Sequence, residues 1–108
     1  MIVFPYQGTQ ESASGAVRLG LAAGSAVAVT PLPIFDDVSD AVLQLPGCSV
    51  ADIARGIRQF LDEPQLLRDA TQRARNYCAE RAWPVVSNRL LNIIDGIEIQ
   101  RAYDRLRD

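Results

Sequence analysis

The sequence predicts an α/β fold of three layers, in which a short parallel sheet of about three strands is flanked by helices and the C-terminal half is helical. An apolar run at residues 2–4 is followed by a polar loop, a helix of small residues and a second apolar run, all within residues 2–30. This is the order of a βαβ crossover. From Ser49 onwards, apolar residues recur at the spacing of helices. A length of 108 residues, 48% of them hydrophobic, fits one domain with a modest core and argues against disorder.

The first strand and the first helix are indicated by their own residues and by their flanks. Residues 2–5 are apolar without alternation, which is typical of a parallel strand covered on both faces. The segment rich in Ala, Gly, Val and Leu predicts a helix over residues 13–23, with Ser12 as its N-cap and Gly24 as its left-handed stop. In such a unit the intervening loop lies outside the carboxyl end of the strand.

Two glycines inside this helix weaken it, each by roughly 1 kcal/mol relative to Ala. We interpret Gly20 as a point of close packing between helix and sheet. Gly15 lies nearer the loop, and there close packing and the approach of a ligand to the backbone are equally compatible with the sequence.

Two further strands are predicted before the helical half. Residues 26–30 form a buried strand that ends at Pro31, where a Pro-Leu-Pro sequence forces an extended, irregular loop. Residues 41–45 predict a short third strand. Asp36 and Asp37 lie between the two strands, and because adjacent side chains seldom converge on one point, we interpret them as part of a solvated loop.

Three helices are predicted in the C-terminal half. The first follows Ser49, which forms a capping-box pattern with Asp52, the second begins at Pro64, and the third begins at the Trp-Pro sequence at Trp83. Beyond Glu98 the sequence is charged, and we expect it to be solvated or frayed. Each helix carries an apolar stripe that is expected to pack in the core. The stripes contain Val50, Ile53, Ala54, Ile57, Phe60 and Leu61 in the first helix, Leu67, Ala70, Ala74, Tyr77 and Cys78 in the second, and Val86, Leu90, Ile93, Ile94 and Ile97 in the third.

The loop between the first strand and the first helix is almost entirely polar. A helix that begins near Ser12 would direct free backbone N–H groups and the positive end of its dipole towards this loop. The sequence therefore predicts a site for a phosphate or a carboxylate. The loop residues are Gly8, Thr9, Gln10, Glu11, Ser12 and Ser14.

Composition limits the other kinds of site. The net charge of −2 provides no basic field for nucleic acid. The absence of His removes the commonest general base and the commonest zinc ligand, and no metal constellation is present in the sequence. Cys48 and Cys78 lack metal-ligand spacing and are interpreted as buried, reduced thiols. Without an apolar run of eighteen residues or a charged signal-peptide start, the chain is expected to be cytoplasmic and to have no transmembrane segment.

The pattern of these elements resembles the donor-binding segment of retaining, nucleotide-sugar-dependent glycosyltransferases of the two-Rossmann-domain type (glycosyl transferases group 1, family 4). Pro5 at the end of a strand, Glu11 in the loop, and Ala-Ala-Gly before the strand at residues 26–30 fall in matching places. Asp-Glu-Pro ending at Pro64 and Trp-Pro at Trp83 resemble the end of such enzymes. The resemblance covers nearly the whole chain and implies a partial Rossmann-like unit.

The resemblance also implies roles for individual residues. Glu11 matches the first Glu of the family's E-x7-E signature, which contacts the donor sugar, and is the candidate catalytic residue. The amides around Ser14 match the turn that cradles the donor diphosphate. The second Glu of the signature would fall at position 19, where this chain has Leu19, and the neighbouring Arg18 either contacts a phosphate or sugar or forms a surface salt bridge. The implied donor-binding residues are Gly8, Thr9, Ser12, Ala13, Ser14, Gly15 and Arg18.

The parent enzymes have parts that this sequence does not contain. The resemblance aligns Met1 after the strands that carry the family's basic pair and after the N-terminal acceptor domain, so we expect an excised piece or a truncated gene product with little or no activity alone. The donor is expected to be a UDP- or GDP-type nucleotide-sugar, with no cofactor. We also expect a homodimer through the open sheet edge or the last helix. A stand-alone phosphate or nucleotide binding module and a non-catalytic interaction domain remain as alternatives.

Overall fold

The computed structural model describes residues 1–8, 10 and 13–107. The chain divides into two compact units, Met1–Cys78 and Ala79–Asp108. In chain order the elements are β1 (Ile2–Phe4), α1 (Gly15–Ala22), β2 (Val27–Val29), a 3₁₀ helix (Pro33–Ala41), β3 (Leu43–Gln44), α2 (Val50–Asp62), α3 (Pro64–Glu80) and α4 (Trp83–Arg107).

The three strands of the first unit form one parallel sheet in the order β1-β2-β3. In the register, Val3 lies beside Ala28, and Ala28 lies beside Leu43. All three residues of β2 are buried, as expected for the central strand. The predicted α/β class, with a short parallel sheet flanked by helices and a helical C-terminal half, is therefore confirmed.

Both faces of the sheet are covered, because successive side chains of a strand point to opposite sides. On one face Val27 and Val29 belong to a cluster with Val17 and Leu21 of α1. On the other face Ala28 belongs to a cluster with residues of β3, α2 and α3. The edge strand β1 contributes to both: Phe4 packs against the first cluster and Val3 against the second. The second cluster contains Ala26, Ala28, Leu43, Leu45, Phe60 and Ala70.

Close contact between α1 and the sheet explains Gly20. A Cβ atom at Gly20 would lie 3.1 Å from a ring carbon of Phe4 and 3.3 Å from a methyl group of Val27. The predicted role of Gly20 in helix-on-sheet packing is confirmed. Gly24 has a φ of 71°, which confirms it as the left-handed residue that ends α1.

The connection from β2 to β3 differs from the predicted irregular loop. Pro33 begins a 3₁₀ helix, for which the fixed φ of proline is well suited. Its buried side chains, Ile34, Phe35, Val38 and Ala41, face the first cluster, and this burial orders a segment that lacked a clear pattern. The third strand is correspondingly short, and only Leu43 and Gln44 of the predicted residues 41–45 form it.

The helices α2 and α3 begin where the sequence predicts. The Ser49 hydroxyl caps α2 by accepting a hydrogen bond from the N–H of Asp52, at 3.1 Å, and donates to the Asp52 carboxylate at 2.7 Å. The hydrogen bond from Ser49 and the nearby charge of Arg55 hold the pKa of Asp52 below its usual range. Because the folded-state pKa is lowered, the stabilisation is present above the ordinary carboxyl pKa and is lost as the pH falls through the lowered value.

The predicted stripes of α2 and α3 are largely confirmed. Ile53, Ile57 and Phe60 of α2 pack in the second cluster, whereas Val50 and Leu61 are exposed. The whole α3 stripe contacts a cluster: Leu67 and Ala70 lie in the second, and Ala74, Tyr77 and Cys78 lie in the first.

The prediction that the α4 stripe packs in the core is wrong. In α4, all of whose residues the structure describes, none is buried. Beyond Glu98 the chain is exposed, as one of the two predicted alternatives has it, and the helix continues to Arg107 without fraying. It has arginines in its last turn, where cations are favourable to the helix dipole.

Two predictions concern cysteines and membranes. Cys48 and Cys78 are free thiols, but both are half-buried, so the prediction that they are buried is wrong. Cys78 packs against the first cluster from its edge. Among the described residues, no helix combines the length and apolar character needed to cross a bilayer.

Candidate anion site at the carboxyl edge of the sheet

The candidate site lies where β1 ends and α1 begins. Because the strands are parallel, the segments that follow β1 and β2 leave the same edge of the sheet. Thr30, directly after β2, donates a hydrogen bond from its hydroxyl to the carbonyl of Tyr6, at 2.7 Å. Thr30 is buried and Tyr6 is half-buried, so this bond connects the two segments at the edge of the core. The loop therefore starts from a fixed position.

Tyr6 fixes the start of the loop to the core as well. Its ring packs edge-on against Phe4, with centroids 6.1 Å apart, and lies 5.4 Å from the ring of Phe35. Its hydroxyl is 3.4 Å from the Ser14 hydroxyl at the far end of the loop. One side chain thus contacts both ends of the polar segment.

Ser14, and not Ser12, is the N-cap of α1. It has extended backbone angles, and its hydroxyl accepts the N–H of Val17 at 3.3 Å. The predicted helix start at residue 13 is therefore wrong by two residues. The Ser14 hydroxyl accepts the N–H of the third helical residue, Val17, so the N–H groups of Gly15 and Ala16 remain among those without an acceptor inside α1. Both residues are exposed.

The space beside Gly15 is open. Among the residues that the structure describes, a Cβ atom built at Gly15 has no atom within 4 Å, in contrast to Gly20 deeper in the same helix. Close packing therefore does not explain Gly15. Of the two interpretations that the sequence left open, an unobstructed backbone that a ligand can approach fits this geometry.

Arg18 reaches back towards the N-terminus of α1. Its guanidinium donates to the Ser14 carbonyl at 3.0 Å and forms a salt bridge with Asp37 of the 3₁₀ helix. The two side chains remain about two-fifths exposed, at 41% and 43%. The structure thus contains the surface salt bridge that was one of two interpretations of Arg18, and it also places the cation beside the helix terminus.

The structure brings together part of the predicted set. Ser14, Gly15 and Arg18 lie at one helix end, and Ala13 precedes them as an exposed residue. Gly8 is also exposed. Thr9, Glu11 and Ser12 lie outside the described residues, so their predicted roles stay predictions. Leu19, at the position of the second signature Glu, is 75% exposed and belongs to neither core cluster.

Three residues of the site were not predicted from the sequence. Asp37 was interpreted as solvated loop, and Tyr6 and Thr30 were given no role. The place of Thr30 in the site could have been predicted, since a polar residue that directly follows a buried parallel strand lies at the edge where ligands bind. The role of Asp37 could not be predicted, because its contact with Arg18 depends on a 3₁₀ helix that had no recognisable sequence pattern.

The chemistry available here is that of anion binding. Exposed backbone N–H groups at a helix N-terminus and a neighbouring guanidinium are donors suited to phosphate oxygens. Within the described part of the chain, no group of three His, Cys, Asp or Glu side chains is placed to hold a metal ion. No family model, no curated protein and no solved structure matches this chain.

Proposed function

We propose that this chain is the donor-binding segment of a retaining glycosyltransferase that uses a UDP- or GDP-type nucleotide-sugar. In this proposal the start of α1 holds the diphosphate of the donor, and Glu11 contacts its sugar. The partner is the N-terminal acceptor domain of the parent enzyme, and the segment alone has little or no activity. The resemblance in sequence supports the enzyme class, and the geometry at the start of α1 supports the diphosphate site.

The observation that carries the proposal is the open N-terminus of α1 at the carboxyl edge of a parallel sheet. Gly15 and Ala16 are exposed there, and among the described residues no atom lies within 4 Å of a Cβ built at Gly15. Phosphates bind at helix N-termini that leave such a strand-loop unit, because the N–H groups and the helix dipole favour negative charge. Tyr6 and Ser14 hold the two ends of the loop close to each other.

Asp37 sets how strongly Arg18 can act on a phosphate. The carboxylate neutralises the guanidinium, and it also adds a negative charge near the place where the ligand binds. We expect Asp37→Asn to tighten the binding of UDP about two- to fivefold at low ionic strength, the range expected for one partly exposed charge. Calorimetric titration of the full chain measures this change.

Asp36→Asn is the matched control, because it removes the same charge from the adjacent exposed residue, whereas the salt bridge of Arg18 is formed with Asp37. It should change the affinity less than Asp37→Asn does. In the double variant Arg18→Gln/Asp37→Asn the gain should disappear, because the cation that Asp37 restrains is gone. Equal effects of Asp36→Asn and Asp37→Asn, or a gain that persists without Arg18, would contradict the proposed site.

A further inference from the structure

The helix α4 exposes a continuous apolar face. Six of its large side chains, at positions 83, 86, 90, 93, 94 and 97, recur with the spacing of a helix, which places them on one side of it. Their exposed fractions range from 40% for Val86 to 84% for Trp83. We call this set the Leu90 face. It consists of Trp83, Val86, Leu90, Ile93, Ile94 and Ile97.

The Leu90 face is large for a surface that faces water. The exposed fractions of its six side chains correspond to on the order of 600 Å² of apolar area. Monomeric proteins rarely expose contiguous apolar patches larger than a few hundred Å². Two such faces in contact would remove about 1,200 Å² from water, which is the lower end of the range for stable, specific interfaces. A second copy of the same helix therefore supplies enough area to cover it.

We propose that the Leu90 face binds the Leu90 face of a second copy of this chain, with the two α4 helices antiparallel. The side chains at Val86, Leu90, Ile93 and Ile97 have the alternating spacing of a coiled-coil seam. With the two-fold axis between Leu90 and Ile93, each Leu90 packs beside an Ile93 and each Val86 beside an Ile97. The interface is then isologous, and it closes as a dimer.

The flanking residues favour this antiparallel arrangement. On one side of the seam, Arg89 of each helix lies opposite Gly96 of the other, where no side chain obstructs it. On the other side, Ile94 of each helix lies opposite Ser87 of the other. The two helices overlap over residues 83–100, so Asp104 lies beyond the contact. In a parallel pair, the same seam would continue to Asp104 and place two carboxylates opposite each other, which is unfavourable. Repulsion between the two Asp104 carboxylates in a parallel pair thus favours the antiparallel orientation.

A lipid surface fits α4 less well. Between Trp83 and Arg107 the helix has four Arg against three acidic residues, so it lacks the strongly basic polar face of interfacial helices. Three further large side chains of α4 are also exposed, those of Ile99, Tyr103 and Leu106. They lie on the opposite side of the helix from the Leu90 face, because the two residues from Ile97 to Ile99 correspond to a rotation of about 200° about the helix axis. A membrane plane would cover one side only.

Sedimentation equilibrium of the full chain, from about 5 to about 200 µM, tests the dimer. We expect a monomer–dimer equilibrium, with Leu90→Glu raising the dissociation constant at least tenfold. Leu91→Glu is the matched control, because Leu90 and Leu91 are equally exposed, at 56% and 55%, but Leu91 lies outside the Leu90 face. We expect it to leave the dissociation constant within a factor of about three.

Spin labels test the orientation. In a Cys48→Ala/Cys78→Ala background, labels are attached to Asp95→Cys or to Ala102→Cys, two positions on the outer side of α4. In the antiparallel dimer, the axial separation between the paired labels is about 10 Å at position 95 and about 30 Å at position 102. In a parallel dimer the label separation is the same at both positions, and that result overturns the proposed arrangement.

Two other results overturn the proposal itself. One is a sedimentation result in which the chain stays monomeric up to about 200 µM, or in which the Leu90→Glu and Leu91→Glu variants dimerise equally well. The other is a monomeric chain that sediments with phosphatidylglycerol–phosphatidylcholine vesicles and loses that binding in Leu90→Glu, which would assign the face to lipid. Circular dichroism of both variants confirms that α4 remains helical. None of these measurements depends on the proposed donor site.

Discussion

Replacing Gly56 by Ala is expected to lower the free energy of unfolding by about 2 kcal/mol, although Ala is the better helix former by about 1 kcal/mol. A Cβ atom at Gly56 would lie 2.7 Å from a methyl group of Leu45 and 2.7 Å from the ring of Pro46. Neither neighbour can move easily, because Leu45 is 1% exposed in the core and the Pro46 ring is fixed to the backbone. Adding one methyl group therefore forces α2 away from the segment that follows β3. Urea denaturation of the two proteins measures the difference.

The same substitution at Gly96 is the control. Gly96 also lies inside a helix, but a Cβ atom there has no atom of the described part of the chain within 4 Å. Gly96→Ala should therefore leave the protein as stable as before or slightly more stable. If Gly56→Ala were as stable as Gly96→Ala, the close contact between α2 and the segment after β3 would be incorrect.

Replacing Thr30 by Val is expected to cost about 2 kcal/mol, with almost no change in shape. The substitution removes the hydroxyl that donates to the Tyr6 carbonyl at 2.7 Å and leaves that carbonyl without this donor. Thr30 is fully buried, so water cannot readily take the place of the hydroxyl. Because Tyr6 begins the loop and contacts Ser14, weaker ordering of the loop should accompany the loss of stability.

The variant Thr30→Ser separates the contribution of the hydroxyl to stability from that of the methyl group. It keeps the donor and loses one buried methyl, so it should cost about 1 kcal/mol, which is less than Thr30→Val. Thermal unfolding of the three proteins gives the order. A Val variant more stable than the Ser variant would mean that packing, and not the hydrogen bond, holds the two segments together at the edge of the sheet.

Local sequence features predicted most of the fold. The apolar runs at β1 and β2, Gly24 in the left-handed conformation, and the caps at Ser49 and Pro64 are signals carried by a few neighbouring residues, and each element lies where they indicate. The 3₁₀ helix Pro33–Ala41 was missed because its order comes from burial against α1 and the sheet, which a local pattern does not show.

The candidate site was only partly predictable. The sequence offered two residues that can cap α1, Ser12 and Ser14, and the choice depends on where Tyr6 holds the loop. The pair formed by Arg18 and Asp37 joins residues nineteen positions apart. In α4 the local pattern was sufficient for the helix but not for its packing. The periodicity correctly indicated a helix with an apolar face, but it does not indicate what covers that face.

The most direct test of the proposed donor site is an amide NMR titration of the full chain with UDP, GDP and inorganic phosphate. We predict saturable shifts at Gly15, Ala16 and the loop residues 7–14, stronger with either nucleotide than with phosphate, because two phosphoryl groups can contact the helix terminus and Arg18 together. A well-dispersed spectrum that does not change up to millimolar ligand would contradict the site. The start of α1 would then be a capped helix end with a surface salt bridge and no ligand.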